Sequence, residues 1–547
     1  MVLQFQLRTW TRVETLTLRL TGFYFLLSML LGIALMSTLS SSAFASSKAE
    51  GLQYLQNAEQ YYKSHDYFKS ARYAFAAMEN DPSLKPQAYA WVTLGLVNAG
   101  LPNAASYFFI RTLQMKNKAA IRSVLSQTQS LLVVVGADLL RKYLIRHTEY
   151  SDYDLANRGT YLYALGKEAI LSGDNPRAIG FLNGIGSGSA IWPFALHLRG
   201  TAHAIMGKNE EAISDFKACA SHAFDITNFA GSNPLRQRQT EREADDLRSR
   251  CMAGEARTLY QMDDLVAADR SYDRLPKRSF VWPDILFEQA WNSFGRQEYN
   301  RTLGKLVSYK SPALNFMFNT EIDVLRAQSY LALCLYDDTN AVINEFNAKY
   351  AAVGIEVKSF VENNANNLPV FYDLGKQALR ASLYSSNLFY RLINRFIRGP
   401  YFQNLVAAEK QISVEKNLIS RFDSVQEGVN HNLGAGFPGF LEQVLNWRLR
   451  TVHFLGGAFV KNSLLDYHSA LLSDFEKMSF IKLEMLKKAK DKLVYKQAAS
   501  EKSTESRERG NIDPTRRDDQ YKWSFNGEFW NDELGDYVFG LESRCQE

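Results

Sequence analysis

The chain has 547 residues, of which 46% are hydrophobic and 22% are charged, and this balance excludes a wholly disordered protein. Its 63 basic and 58 acidic residues leave a formal net charge of +5, which is too small and too dispersed for a nucleic-acid-binding protein. At one domain per about 100–200 residues, the length allows two to four domains or one long repeat array.

Residues 1–45 predict a secretory signal peptide. Three arginines precede an uncharged run from Gly22 to Met36, and small residues then lead to a predicted cleavage between Ala45 and Ser46. The apolar run is short for a membrane span, although an uncleaved anchor is the alternative interpretation. No cysteine lies near the cleavage position, so we do not expect a lipoprotein. We expect an exported mature chain without a transmembrane span.

A period of 34 residues predicts a series of helix hairpins. The positions Leu162, Gly166, Gly173, Ala178 and Leu182 correspond, 34 residues later, to Leu196, Gly200, Gly207, Ala212 and Phe216. Small residues at the eighth and twentieth positions of a unit let two helices approach closely. Glycine at the fifteenth position permits the tight turn between them.

The same register continues in both directions along the chain. Downstream it aligns Ala256, Asp263 and Ala268 with Ala290, Gln297 and Thr302, and after a 37-residue step with Ala327, Cys334 and Thr339. Upstream, Trp91, Leu94 and Gly95 mark the start of another unit. The predicted repeat-packing residues are Gly166, Ala178, Gly200, Ala212, Ala256, Ala268, Ala290 and Ala327.

These repeats resemble the tetratricopeptide repeat. The resemblance implies an all-α superhelix, and stacked hairpins of this kind curve to give a concave groove that can bind a peptide or a partner helix. We predict that the superhelix covers residues 46–350, with an insertion at 221–250.

After residue 350 the repeat pattern fades and long amphipathic segments follow. They predict a C-terminal helical domain of long antiparallel helices at 351–500, with segments at roughly 370–396, 404–429, 440–459 and 464–499. Residues 501–519 are charged and free of aromatic residues, which is typical of a flexible linker. Residues 520–547 are strongly aromatic, so we expect this tail to dock on the helices.

The residues that could carry chemistry form no recognisable catalytic or metal-binding motif. Cys219, Cys251, Cys334 and Cys545 include no C-x-x-C pair, which excludes a zinc knuckle or a thioredoxin-type site. Three complete disulfide pairings are open, as are buried free thiols. The adjacent carboxylates at 263–264 and 337–338 fall at repeat turns, where Asp commonly caps a helix. We expect no catalytic, cofactor-binding or metal-binding residues and no cofactor.

Two segments carry a more specific resemblance. The first contains Phe287-Glu288-Gln289-Ala290-Trp291 and runs on to Tyr350, and the second runs from Trp523 to Tyr537 and closes at Cys545. They resemble exported tetratricopeptide proteins of delta-proteobacterial type, including periplasmic adventurous gliding motility proteins. The resemblance implies the periplasm of a diderm bacterium and a scaffold role in an envelope-spanning machine.

Each of these two family-like segments contains one cysteine. We therefore expect a disulfide between Cys334 and Cys545 that ties the aromatic tail to the last repeat. Cys219 and Cys251, which lie in consecutive repeat helices on either side of the insertion, are the competing pair.

The leading functional hypothesis is a non-enzymatic scaffold or adaptor that binds other envelope proteins, with motility as one candidate process. The alternative is a peptidoglycan- or polysaccharide-binding protein that uses the C-terminal aromatic residues. A third hypothesis is a hydrolase without a recognisable motif. A nucleic-acid partner is not expected.

Overall fold

The computed structural model describes residues 48–128, 130–131, 137–155, 157–224, 234–279, 281–314, 316–381, 386–425, 433–499 and 527–545. The predicted signal peptide with Ala45 and Ser46, the linker at 501–519 and the beginning of the aromatic tail lie outside these ranges. Within them the regular secondary structure is helical, without a β-strand. None of the helices in these ranges is long and apolar enough to cross a membrane.

The α-helices are numbered in chain order. They are α1 (Lys48–Lys63), α2 (Tyr67–Asn80), α3 (Lys85–Asn98), α4 (Pro102–Gln114), α5 (Lys118–Leu125), α6 (Ala137–His147), α7 (Arg158–Leu171), α8 (Asn175–Asn183), α9 (Trp192–Ile205), α10 (Asn209–Ala220), α11 (Pro234–Gln261), α12 (Leu265–Asp273), α13 (Trp282–Gly295), α14 (Tyr299–Val307), α15 (Glu321–Ala332), α16 (Tyr336–Asn363), α17 (Leu368–Arg380), α18 (Leu388–Ile397), α19 (Pro400–Val425) and α20 (Phe437–Ala499).

The chain divides into two compact units. Unit 1 takes the chain up to residue 171 together with 364–377 and 396–463, and unit 2 takes 172–363, 378–395 and 464 onwards. Each unit therefore combines consecutive repeat helices with segments from the C-terminal part of the chain.

Helix pairing in each unit follows the tetratricopeptide pattern. In unit 2 the pairs α9–α10, α11–α12, α13–α14 and α15–α16 are consecutive hairpins, and each second helix also packs against the first helix of the next hairpin. First helices contact one another, α9 with α11 and α13 with α15, and in unit 1 the same holds for α1 with α3 and α3 with α5. The predicted all-α fold of tetratricopeptide-like hairpins is confirmed.

The turns between paired helices explain why the repeat is visible in the sequence. At the fifteenth position Gly173 and Gly207 have φ of 82° and 73°, in the left-handed region that glycine enters without steric cost. Asp263, Gln297 and Cys334 occupy the same turn with φ of 63°, 62° and 56°. A left-handed conformation costs a residue with a side chain about 1–2 kcal/mol, so the packed hairpins impose this turn even without glycine.

Of the two adjacent carboxylate pairs that were predicted to cap helices at repeat turns, one does so and the other lies inside its helix. Asp264 precedes α12, and its Oδ1 accepts a hydrogen bond from the Ala267 amide at 3.0 Å. Asp337 and Asp338 instead lie inside the first turn of α16, because this helix begins already at Tyr336. Negative charge is favourable there too, since the amino-terminal end of a helix carries partial positive charge.

Beyond the repeats, the helices begin and end at other residues than the predicted segments do. The boundary predicted at residue 350 lies within α16, which continues to Asn363. The segment predicted at 370–396 consists of two helices, α17 and α18. The two segments predicted at 440–459 and 464–499 form one helix of 63 residues, α20. The helix continues through Gly456-Gly457, and residues 460–463 contain neither proline nor glycine that could interrupt it.

In unit 1 the C-terminal helices pack on the second helices of the first two hairpins. Phe68 of α2 stacks on Phe422 of α19 at a centroid distance of 4.8 Å. The carboxylate of Glu415 accepts hydrogen bonds from the amides of Asn103 and Ala104 at 2.9 and 3.0 Å, which caps the start of α4. Burial raises the pKa of Glu415 to about 7 despite these donors.

In unit 2 helices approach one another closely around the ring of Phe216. This ring, on α10, lies between Gly200 of α9 and Gly254 of α11. A Cβ atom on Gly200 would lie 3.0 Å from the ring, and one on Gly254 would lie 2.6 Å from it. The predicted packing residue Gly200 therefore has a second glycine opposite it, which the 34-residue register did not identify.

We predict that Gly254→Ala lowers the free energy of unfolding by about 1–2 kcal/mol, because the clash with Phe216 exceeds the helix-propensity gain of about 1 kcal/mol. Gly180→Ala on α8 is the matched control, since its Cβ would meet no atom within 4 Å, and we expect it to be neutral or stabilising. Urea titrations followed by far-UV circular dichroism measure both effects. A Gly254→Ala protein as stable as the wild type would contradict the packing argument.

Candidate protein-interaction surfaces

Ionisable side chains that influence one another lie on three first helices of unit 2, namely α9, α11 and α13. We call this set the polar strip, and it consists of His197, Asp246, Arg250, Arg257, Asp284 and Glu288.

The central contact of the polar strip joins two neighbouring first helices. The guanidinium of Arg257 donates to both oxygens of Glu288, with Nε–Oε2 and Nη2–Oε1 distances of 2.8 and 2.7 Å. The hydroxyl of Tyr272 also donates to Glu288 at 3.2 Å. Although burial opposes its charge, the pairing with Glu288 raises the pKa of Arg257 above its usual value. This bidentate pair fixes α11 against α13.

Two further ion pairs flank the central one. Arg250 Nε lies 2.7 Å from Asp246 Oδ2 on the same helix, and Arg395 Nη1 of α18 lies 2.7 Å from Asp284 Oδ1. The side chains of Arg250 and Asp284 are 41% and 44% exposed, whereas that of Glu288 is 9% exposed. The polar strip therefore combines a fixed, buried centre with accessible charges of both signs.

His197 is the one histidine of the polar strip. Its ring packs against Phe216 with a centroid distance of 6.0 Å. Burial, together with the positive charges of Arg250 and Arg257, lowers the pKa of His197 to about 4, while Asp246 acts in the opposite direction. The imidazole is consequently neutral in the folded protein at neutral pH.

We predict that His197 makes the folded protein less stable in acid. The unfolded chain binds a proton at this residue below about pH 6.5, whereas the folded chain resists it down to about pH 4, so stability falls as pH is lowered through that window. The contribution is up to about 3 kcal/mol, and His197→Gln should remove it. Urea titrations between pH 7 and 4 measure the effect, with His222→Gln as the control. Parallel curves for His197→Gln and the wild type would contradict the prediction.

A second surface of unit 2 holds the end of the chain. We call residues 527–545 the tail segment and the residues that receive it the tail site, which consists of Lys277, Trp282, Leu286, Asn300, Gly304 and Ser308. Leu534 and Tyr537 of the tail segment are buried in one apolar cluster with Trp282 and Leu286.

Hydrogen bonds in the tail site are made mainly to the backbone of the tail segment. Asn300 Nδ2 donates to the carbonyl of Leu541 at 2.9 Å, and Asn300 Oδ1 accepts from the amide of Leu541 at 3.0 Å. The amide of Phe539 donates to the Asn300 carbonyl at 3.1 Å. Ser308 Oγ accepts from the amide of Gly535 at 2.9 Å. One asparagine thus contacts both polar groups of a single residue in an irregular, non-helical segment.

Gly304 on α14 gives the tail segment its closest approach to a helix. A Cβ at this position would lie 1.7 Å from the carbonyl oxygen of Tyr537 and 2.8 Å from the amide nitrogen of Val538. Both atoms belong to the backbone and cannot rotate away. The tail segment can therefore occupy this place only if residue 304 has no side chain.

Both cysteine pairs that were weighed as competitors are bonded in the structure. Cys219 on α10 is joined to Cys251 on α11 with a Cα–Cα distance of 6.0 Å, and Cys334 is joined to Cys545 with a distance of 5.0 Å. The two bonds share no cysteine, so one does not exclude the other. Cys219 and Cys251 are completely buried, whereas Cys545 is exposed.

The predicted repeat-packing residues are not part of the polar strip or the tail site. Gly166, Ala178, Gly200, Ala212, Ala256, Ala268, Ala290 and Ala327 are all buried in the structure. They position the helices but belong to neither the polar strip nor the tail site. Arg257, Glu288, Asn300 and Gly304 were not identified as functional residues from the sequence. In the described ranges, no group of three or more His, Cys, Asp or Glu side chains could hold a metal ion.

No protein-family model and no curated protein matches the chain. Among solved structures, it is similar to the TPR domain of P58(IPK), with 15% identity over 74% of this chain and 98% of that one and a TM-score of 0.18. It is also similar to yeast Tom70, with 12% identity over 82% of this chain and 99% of that one and a TM-score of 0.19. TM-scores this low support no conclusion about the fold. The helix hairpins are identified from the helix contacts and the turns instead.

We predict that Gly304→Ala prevents docking of the tail segment and leaves Cys334 and Cys545 as thiols, because the new Cβ overlaps the backbone of Tyr537. Thiol titration of the denatured, unreduced protein should find two reactive groups in this variant. The wild type and the Gly180→Ala control should show none. A Gly304→Ala protein without free thiols would contradict the predicted overlap.

Proposed function

We propose that the protein is a non-enzymatic scaffold or adaptor that binds other proteins. The observation that carries this proposal is the polar strip, because its charges extend along two successive first helices, α11 and α13, instead of converging on one point. Stacked helical repeats bind partners through extended surfaces of this kind. The accessible Arg250 and Asp284 offer one charge of each sign to a partner.

We further propose that the protein works in the periplasm of a diderm bacterium, in an envelope-associated complex. The support is the predicted signal peptide and the two segments that resemble exported tetratricopeptide proteins of delta-proteobacterial type. A motility complex is the finer form of this proposal. Other envelope proteins are the proposed partners, and no nucleic acid or cofactor is required.

Site-specific photo-crosslinking in the native cells tests the scaffold function. A photoreactive amino acid replaces Arg250 in the polar strip, and the control carries it at Glu211, an exposed position on the second helix α10. After irradiation, tagged protein is purified and its adducts are identified by mass spectrometry. We expect a reproducible set of envelope proteins at position 250 and few or none of them at position 211. Equal labelling at both positions, or no reproducible protein, would count against the proposal.

The peptidoglycan- or polysaccharide-binding alternative depends on the tail aromatics. Of these, Tyr537 is buried and Phe529 and Phe539 pack against the cluster around Trp282, while Trp530 is 61% exposed. Incubation with purified cell wall separates the remaining hypotheses. Sedimentation with the wall, without cleavage, would favour this alternative, and release of soluble fragments would favour a hydrolase.

A further inference from the structure

The tail site has the features of a peptide-binding site that the chain fills with its own end. Resting on the proposed function, we propose that the tail site binds a peptide with a Leu-Gly-Asp-Tyr-like sequence in the turn conformation that the tail segment adopts at residues 531–536. We also propose that the tail segment occupies the site until the disulfide between Cys334 and Cys545 is reduced.

Recognition of the backbone is the first argument. Asn300 contacts both the amide and the carbonyl of Leu541, and Ser308 accepts from the amide of Gly535. Such contacts to the main chain give affinity for any peptide whose backbone follows the same path, as in other modes of peptide recognition. The missing side chain at Gly304 provides the space through which a peptide backbone passes.

Selectivity for the peptide sequence is the second argument. Leu534 and Tyr537 enter the cluster around Trp282 and Leu286, which calls for an apolar and an aromatic residue three positions apart. Between them, Asp536 forms an ion pair with Lys277 at 2.8 Å. The buried ammonium of Lys305 lies 3.5 Å from the carbonyl oxygen of Gly535, so the bound peptide provides an acceptor for a charge that would otherwise have to be solvated.

The different exposure of the two disulfides is the third argument. Cys219 and Cys251 have no exposed surface, whereas Cys545 lies at the surface beside the partly exposed Cys334. A soluble dithiol can therefore attack the second bond first. In this step the dithiol gives up two electrons and two protons and becomes a disulfide, and the bond between Cys334 and Cys545 breaks into two thiols.

The test uses full-length protein in which the chain's own tail is weakened and the tail site is unchanged. Cys545→Ser removes the disulfide, and Leu534→Asp places a charge where the tail segment enters the apolar cluster. The probe is a fluorescently labelled synthetic peptide of residues 527–544 with the wild-type sequence, and its binding is followed by fluorescence anisotropy.

We expect saturable binding to the Cys545→Ser/Leu534→Asp protein and at least about 100-fold weaker binding to the oxidised wild type, in line with the advantage of a tethered ligand. Adding Gly304→Ala should weaken binding at least tenfold, and adding Gly180→Ala should leave it unchanged. Asp536→Lys in place of Leu534→Asp gives a second way to release the tail, since it repels Lys277. Circular dichroism verifies that each variant is folded.

Three results would overturn the proposal. Absence of saturable binding to both tail-weakened variants would mean that the contact is internal packing only. Equal binding to the oxidised wild type would mean that the tail segment does not block the site. Peptide mapping that finds both disulfides opened at the same dithiol concentration would refute the selective step. Crosslinking at Arg250 does not involve the tail site, so the scaffold function and this inference can fail independently.

Discussion

The close approach of the two helices in each hairpin is the constraint on which the rest of the structure depends. Where Phe216 of α10 fills the space between α9 and α11, two glycines leave room for its ring. Shape complementarity of this kind fixes helix spacing more strongly than composition does, since interiors are packed as densely as organic crystals. It also places Arg257 and Glu288, on successive first helices, at bidentate distance. The polar strip is thus a consequence of hairpin packing rather than a separate addition to it.

The left-handed turn connects the repeat architecture to the tail segment. Cys334 occupies the same turn position as Gly173 and Gly207, and it accepts the less favourable φ of 56°. From this turn it is bonded to Cys545, while the neighbouring carbonyl of Leu333 accepts a hydrogen bond from the Arg544 amide at 2.9 Å. Glycine would adopt this left-handed turn at a lower conformational cost than cysteine does. The presence of Cys334 is explained if the disulfide contributes more to stability than the turn conformation costs.

Most of the fold in the repeat region could be predicted from sequence because its determinants are local. Gly200 and Ala212 recur at a fixed distance from Gly166 and Ala178, and their physical role is the same in each unit. Gly254 escaped the pattern because the equivalent of Gly200 in its unit is Ala256, and Gly254 lies two residues before that repeat position. For α20 the sequence does contain a potential breaker, Gly456-Gly457, close to the end predicted at residue 459, but the helix continues through both glycines.

The candidate sites were less predictable because they join residues that are distant in the chain. Asn300 and Leu541 are 241 residues apart, and nothing in the sequence around Asn300 distinguishes it from a solvated helix residue. Gly304 was only weakly conspicuous in the sequence, as a glycine within a nine-residue helix. Its role becomes clear only from the tail segment that packs against it.

A tethered segment is present at a high effective concentration, so its individual contacts can be modest and still hold it in place. Such contacts suit a ligand that has to be exchanged. A segment that stays bound permanently would be expected to bury a larger apolar area. The tail segment is held instead by hydrogen bonds from Asn300 to its backbone, by an exposed ion pair and by an accessible disulfide.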